Sequence, residues 1–417
     1  MPLAQSLTVD GIELGTPSFW RKPLAERHAA FARLRAEQPV AFHKELEMAV
    51  EGAIAGPGFW SLTRYEDIRE VSRKPWLFSS AQGITVGETQ PEFLEFFGSM
   101  IVMDDPRHAK FRLLVQKGFT PKTVAQVNES VRVRARKLVE DARATGGTCD
   151  FVEAFAAPLP LQVICDMLGV PAADEKQIFD WTNVILGVGD PDFGGSIEAL
   201  GAAALGMFSY AQSLGQDRLA NPREDITSAL MHAEVDGQRL SAAEFGSFFI
   251  LLAVAGNETT RNAISWGAKM LTEHPDQRAA WMADPSLTPG AIEEIVRWAT
   301  PVIHMRRVAN EDTVIGDQKI EAGDKVAMWY WSGNRDESVF ADGHAFDIRR
   351  ENAREQEGYG AGGPHFCLGA NLARREIQVM FEELFTGLPD LEITGEPDRL
   401  QSAFINGIKR MPCSFSV

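Results

Sequence analysis

The 417-residue chain carries 41 basic against 58 acidic side chains, a formal net charge of −17, with 45% hydrophobic and 24% charged residues. Those proportions are ordinary for a globular protein, and the acidity argues against a nucleic-acid surface or an anionic membrane partner. No Pro/Ser-rich linker, low-complexity tract or internal repeat divides the sequence, so one large domain over 1–417 is expected.

The N-terminus, Met-Pro-Leu-Ala-Gln-Ser-Leu-Thr, has no basic start and no apolar core, which predicts a cytoplasmic protein without leader or anchor. Strand-like alternation comes first at 58–63. Asp105-Pro106 offers a capping carboxylate with proline at the first helical position, and helical periodicity follows over 107–143, with Pro121 bending or ending the first stretch near Thr120. Further helices are predicted over 156–168, 172–186 and 196–219. Ser241-Ala-Ala-Glu244 has capping-box spacing and opens a helix over 241–273. Its apolar run, Phe245 to Ala255, is interrupted by Gly246 and Ser247 and closed by Gly256-Asn257-Glu258, so it reads as a buried helix and not a membrane span. A helix over 289–298, strand-like runs at 313–315 and 325–331, a helix over 367–384 and a strand-like end at 409–417 complete the pattern. The expected class is mostly α with small β-sheets.

Gly358-Tyr-Gly-Ala-Gly-Gly-Pro-His-Phe-Cys367-Leu-Gly369 is a glycine-rich loop that opens onto a helix-forming segment. Such a loop can deliver a thiolate to a haem iron, its ionisation helped by freed backbone N–H groups, a helix N-terminus and the iron itself. Of the four cysteines, Cys149, Cys165, Cys367 and Cys413, none lies in a C-x-x-C or C-x-x-C-H pattern, so any haem is held non-covalently. Two plainer readings compete. The stretch 358–363 matches G-x-G-x-x-G, but a charged run ending at Glu357 precedes it where a nucleotide fold needs an apolar strand. A lone cysteine at a helix start is more commonly a small buried residue.

Corroboration comes from Ala255-Gly256-Asn257-Glu258-Thr259-Thr260 and Glu294-Ile-Val-Arg297, followed by an Arg-bearing meander and then the cysteine. In this order the motifs resemble those of cytochrome P450 monooxygenases, and the likeness runs from about Phe19 to the C-terminus. Tyr359 stands where the family usually has Phe, with one extra residue before Cys367, a spacing similar to the bacterial subgroup acting on lipids and sterols.

The resemblance implies the cytochrome P450 fold, haem b with Cys367 as the metal ligand, and O2 as co-substrate. His108 and Arg112 are four apart and share a helix face. With Arg307 and His365 they are implied to bind the haem propionates, against a plainer reading as a solvated basic patch with Lys110 and Lys117. Glu258 and Thr259 are implied to deliver protons; alone they would read as a helix turning polar toward a solvated end. Gly256 costs a helix interior about 1 kcal/mol relative to Ala, tolerable if it lets O2 approach the backbone. Glu294, Arg297 and Arg350 are implied to form a buried structural triad.

Only 50 residues follow Cys367, so electrons are expected from a separate ferredoxin and ferredoxin reductase, docked near Lys110, Lys117, Arg374 and Arg375. Pocket walls are implied at Ile84, Phe93, Phe97, Ile101, segment 184–193, Phe248, Leu251, Leu252, Val302 to Met305, and Phe404-Ile405, an apolar lining suited to a lipophilic substrate. At finer grain, segments 97–108, 181–187 and 248–252 resemble the mycobacterial methyl-branched lipid omega-hydroxylase group, with sterol side-chain hydroxylases as relatives. The expected reaction is insertion of one oxygen atom into a terminal C–H bond by a monomeric bacterial enzyme. A sterol or terpene hydroxylase is the nearer alternative. A peroxide-using haem enzyme and a non-catalytic haem-binding protein are the more distant ones, and Glu258-Thr259 counts against both.

Overall fold

The computed structural model describes residues 9–45, 56–88, 94, 99–116, 121–187, 190, 192, 196–234 and 237–417. The helices used below are α1 (Leu24–Glu37), α2 (Tyr65–Arg73), α3 (Arg107–Gln116), α4 (Pro121–Arg143), α5 (Pro158–Leu168), α6 (Glu175–Leu186), α7 (Ile197–Ala220), α8 (Ile226–His232), α9 (Ala242–Glu273), α10 (Pro275–Ala283), α11 (Thr288–Ala299) and α12 (Ala370–Gly387). Short strands flank them: β1 (Val40–His43), β2 (Phe59–Leu62), β3 (Phe78–Ser79), β4 (Thr148–Asp150), β5 (Met305–Ala309), β6 (Thr313–Ile315), β7 (Gln318–Ile320), β8 (Lys325–Met328), β9 (Glu392–Ile393), β10 (Asp398–Arg399), β11 (Ile408–Arg410) and β12 (Pro412–Ser414). This is the mostly α architecture with small sheets that the periodicity predicts. No helix among the described residues is long and apolar enough to cross a membrane.

Several boundaries differ from expectation for local reasons. The stretch 107–143 is two helices, and Pro121 opens the second, where its missing N–H costs nothing. Pro106 lies one position outside α3, although Asp105 still caps that helix by accepting the Ala109 N–H at 3.0 Å. The last helix begins at Ala370 and not at Cys367, because Gly360, Gly362 and Gly363 hold φ at 93°, 89° and 80° and keep the chain looped. The strand expected over 325–331 stops at Met328, before Tyr330–Gly333 wind into a helical turn. The expected C-terminal strand divides at Met411 into β11 and β12.

Helix α9 is the axis of the molecule. Ser241 Oγ accepts the Glu244 N–H at 3.1 Å and Glu244 Oε2 accepts the Ser241 N–H at 3.0 Å, closing the capping box. Phe245, Phe248, Phe249, Ile264, Trp266 and Leu271 are then buried in turn, as a helix apolar around most of its circumference requires. Helices α5 and α7 pack against it, and α11 and α12 meet it at Gly267, where Ile295 and Phe381 close in. One stripe of α9 is less buried: Leu251, Leu252, Ala255, Gly256 and Thr259. Their spacing of i, i+1, i+4, i+5 and i+8 places them on one helix face.

Where α12 meets α9, Glu376 is buried and hydrogen-bonded to Thr260, and burial pushes its pKa up to about 8. An unfolded glutamate titrates near 4.3, so between these values the folded protein keeps a proton that the unfolded chain releases. The contribution of this group to stability is present below about pH 4.3 and is lost as pH rises through the folded value, at up to about 1.4 kcal/mol per pH unit. Glu376→Gln is expected to flatten the fall of the urea midpoint across that window; an unaltered slope contradicts the assignment.

The main sheet has the order β1-β2-β8-β5-β3 and is antiparallel except between β2 and β8. On β5, Met305 and Arg307 share one face while Arg306 points to the other. Arg306 fans its guanidinium onto the carbonyls of Gln82, Gly83 and Gly87, and its N–H donates to Ile84 O at 2.7 Å. This fan fixes the loop that carries Ile84. A second sheet, β4-β12-β9, ties the C-terminus to the entry of α5.

Candidate active site

The loop bearing Cys367 is clamped from two sides. At the end of α2, Ser72 Oγ donates to Gly362 O at 2.7 Å, and a Cβ on Gly363 would lie 2.2 Å from Ser72 O, so that position takes glycine alone. From α3, Arg112 Nη1 and Nη2 donate to the carbonyls of Pro364 and Phe366 at 3.0 and 2.8 Å. The Cys367 N–H closes the turn on Tyr359 O at 3.0 Å. The thiol keeps accessible surface yet is set deep enough for desolvation to dominate. Burial raises its pKa, and the Gly369 N–H, Arg112, Arg374 and the Ala370 N–H pull against that rise.

Beside the cysteine the chain gathers a cationic group from three distant segments. The His108 and His365 rings lie 4.3 Å apart. Burial, then Arg307, His108 and Arg112, push His365 down to about 3, so its imidazole is neutral. Burial also lowers the pKa of His108, against the opposing pull of Asp105. His108 Nε2 is buried without a hydrogen-bond partner. Arg307 is buried, its side chain donating to Arg306 O at 2.7 Å, with no carboxylate within ion-pair distance among the described residues. Burial of His108 and Arg307 removes the reading of a solvated patch. Ser80, which sequence reasoning missed, holds His365 Nε2 at 3.2 Å and is itself bound through its N–H to Asp104 Oδ1 at 2.8 Å.

On α9, Thr259 Oγ1 donates to Ala255 O at 2.7 Å. Glu258 is almost wholly buried; its Oε2 receives Arg261 Nη2 at 2.5 Å, and Arg261 Nη1 reaches Asn183 Oδ1 on α6 at 3.2 Å. Glu258 Oε1 is buried and unpartnered. Burial raises the Glu258 pKa, with Arg261 and then Asn262 opposing. Thr260, Arg261 and Asn262 are also buried, so this is not a solvated helix end. A Cβ on Gly256 would meet Ile164 of α5 at an ordinary 3.5 Å, so close packing does not impose glycine there.

Glu294 and Arg297 are fully buried and paired twice at 2.7 Å. Arg297 also donates to Asn334 O at 2.6 Å, Gly343 O at 2.7 Å and Ala345 O at 2.8 Å. These bonds employ all five of its N–H groups. Arg350 Nε lies 3.2 Å from Glu294 Oε2, and the Asp347 N–H donates to Glu294 Oε1 at 2.8 Å.

The family model of cytochrome P450 matches residues 207–387. The chain is 51% identical to the methyl-branched lipid omega-hydroxylase of Mycobacterium tuberculosis over 97% of this chain and 95% of that protein. The chain belongs to the cytochrome P450 family. It is 38% identical to the steroid C26-monooxygenase of Rhodococcus jostii over 99% of this chain and 86% of that one. A Mycobacterium marinum cytochrome P450 solved in complex with pseudoionone superposes with a TM-score of 0.92 at 40% identity, covering 98% of this chain and 99% of that one. This cytochrome P450 is thus a monooxygenase using haem iron and O2.

The residues fit that group on their own chemistry. An exposed cysteine, two guanidinium groups with no carboxylate partner among the described residues and a buried, unbonded imidazole nitrogen form a donor set for an iron carrying two anionic side arms. Cys367 would hold the metal, and His108, Arg112, Arg307 and His365 the propionates.

Of the predicted pocket walls, Ile84, Ile101, Leu251, Leu252, Val302, Met305 and Phe404 are half-buried. Phe248 is instead fully buried, edge-on to Phe111 at 5.8 Å. Three wall segments are tied together: Ile303 N donates to Phe404 O at 2.8 Å, Val302 bridges Ile405, and His304 accepts the Val86 N–H at 3.2 Å. Phe93, Phe97, Phe193 and Lys117 lie outside the described residues. A groove of about 530 Å³ between α3 and the start of α9, lined by Arg107, Lys110 and Arg239 among others, contains none of the chemistry-bearing side chains. Arg374, expected at the docking surface, is half-buried, with Nε 2.6 Å from Glu293 and the guanidinium 4.4 Å above the Tyr359 ring. Lys110 is exposed.

Proposed function

We propose that this cytochrome P450 binds haem b and hydroxylates the terminal carbon of a methyl-branched lipid, with electrons supplied by a ferredoxin and its reductase. The observation that carries the substrate class is 51% identity across 97% of the chain to an enzyme named for that reaction. Steroid C26-monooxygenases at 38% favour a second reading, sterol side-chain hydroxylation.

Bound haem iron supplies oxygen activation, and a thiolate ligand favours O–O cleavage. The protein's own groups do the rest. His108, Arg112, Arg307 and His365 anchor the propionates. Glu258 keeps Oε2 on Arg261 and leaves Oε1 as the atom that can hold a proton, an occupancy its raised pKa favours. Thr259, its hydrogen on Ala255 O, presents its oxygen lone pairs on the less-buried stripe of α9. Half-buried apolar walls exclude water and offer few polar handles, so shape selects which end of the substrate reacts. A terminal C–H bond is stronger than its internal neighbours, and positioning must override that preference.

Removal of the Thr259 hydroxyl in Thr259→Ala is expected to leave folding intact while reductant consumed per product formed rises several-fold; unchanged coupling would favour the peroxide-using alternative. Lys110→Glu is expected to slow reduction by ferredoxin several-fold at low salt and flatten its salt dependence. Equal rates and salt slopes would place the docking surface elsewhere. Arg374 is unsuited to that test because its reversal would disturb Glu293. The proposal itself is tested by incubating the reconstituted system with methyl-branched fatty acids and identifying the product by mass spectrometry. Terminal alcohols support it, whereas internal alcohols, or turnover of cholestane ketones alone, reject it.

A further inference from the structure

Cys149 on β4 and Cys413 on β12 stand directly opposite each other in the antiparallel register, with their sulfurs 3.5 Å apart. Phe151 N donates to Met411 O at 2.8 Å and Phe415 N to Gly147 O at 2.9 Å, two positions to either side. Antiparallel pairs alternate, so Cys149 and Cys413 occupy a hydrogen-bonded pair whose Cα atoms are about 5.5 Å apart. That span lies within the range a disulfide bridges, about 4.4–6.8 Å, so joining the sulfurs asks for side-chain rotation and not strand movement. The structure assigns this cross-strand pair as a redox-modification site that forms a reversible disulfide when the protein meets a hydroperoxide.

The two thiols differ in ways that fit a nucleophile and a resolving partner. Cys149 is half-buried and Cys413 has 2% of its surface exposed. The hydrogen bond from Cys413 lowers the Cys149 pKa, opposed by burial, Asp150 and Glu153. That same bond, then burial, raise the pKa of Cys413. The Cys149 thiolate attacks a peroxide oxygen, forming an S–O bond, breaking the O–O bond and releasing hydroxide from hydrogen peroxide. The Cys413 sulfur then displaces hydroxide from the sulfenic acid, losing its proton as the S–S bond forms. In sum, two thiols and one hydrogen peroxide give one disulfide and two waters. The remaining cysteines do not compete: Cys165 is wholly buried with its thiol pushed up to about 12, and Cys367 belongs to the haem site.

The link would join the C-terminal strand to the segment leading into α5, across 264 residues of sequence. The measurement treats the haem-loaded full chain with hydrogen peroxide under native conditions, blocks free thiols with iodoacetamide and maps peptides by mass spectrometry. The expected result is a peptide pair joined through Cys149 and Cys413 that dithiothreitol separates. The thermal midpoint should rise on oxidation and return on reduction. Cys413→Ser should form no such pair and should carry sulfenic or sulfinic acid at Cys149. If both cysteines of the wild-type chain remain fully alkylated after peroxide, or Cys149 over-oxidises without linking, the assignment fails.

Discussion

Arg297→Ala is expected to destabilise the protein by about 3–5 kcal/mol, the range for breaking a buried ion pair. The reason is accounting of donors. All five guanidinium N–H groups are employed, on both oxygens of Glu294 and on three meander carbonyls, of Asn334, Gly343 and Ala345. Among the described residues, truncation leaves Glu294, fully buried, with Arg350 Nε and the Asp347 N–H as partners. It also frees the meander that precedes the cysteine loop. The urea midpoint should fall and haem should be lost during purification, with no change of product pattern in whatever fraction stays folded. Arg297→Lys should recover little, because an ammonium offers three donors from one point where a planar fork of five is needed. A loss below about 1 kcal/mol for the alanine variant would place the pair among ordinary surface bridges.

Cys367→Ser is expected to abolish hydroxylation while leaving a folded protein. Burial raises the Cys367 thiol pKa against the combined pull of two backbone N–H groups, Arg112 and Arg374. Bound haem iron would supply the further positive charge that favours the thiolate there. Serine in the same loop is a harder and far weaker acid, so the thiolate signature of the reduced, CO-bound protein should vanish and turnover should fall below detection. Retention of that signature would mean that another residue ligates the metal.

Local chemistry determined how much of this was legible in the sequence. Helix α9 announced itself through Ser241, Glu244 and the apolar run behind them. Helices α1 and α2 did not, because Pro23 and Arg64 stand at their N-caps and make no side-chain capping bond. Strand β5 was hidden by Arg306 and Arg307, which break apolar alternation for the sake of the Ile84 loop and the cationic group. The motif residues lie in short readable blocks, and their resemblance to a known family is enough to group His108, Arg307 and His365 from sequence alone. Ser80 and Asp104 could not be found that way. The Ser80–His365 contact spans 285 residues, and neither partner sits in a pattern that advertises the other. The pairing of Arg374, an expected docking cation, with Glu293 was hidden for a similar reason, since the two lie 81 positions apart.

The central claim is a haem-thiolate site shaped for the end of a branched chain. The most direct measurement titrates the ferric, haem-loaded protein with methyl-branched fatty acids, straight-chain acids, terpenes and a cholestane ketone, following the spin-state change in the Soret band. The account predicts a saturable shift with the branched chains at lower concentrations than with any other class. A shift confined to compact terpenes or sterols would contradict it and leave a monooxygenase of different specificity.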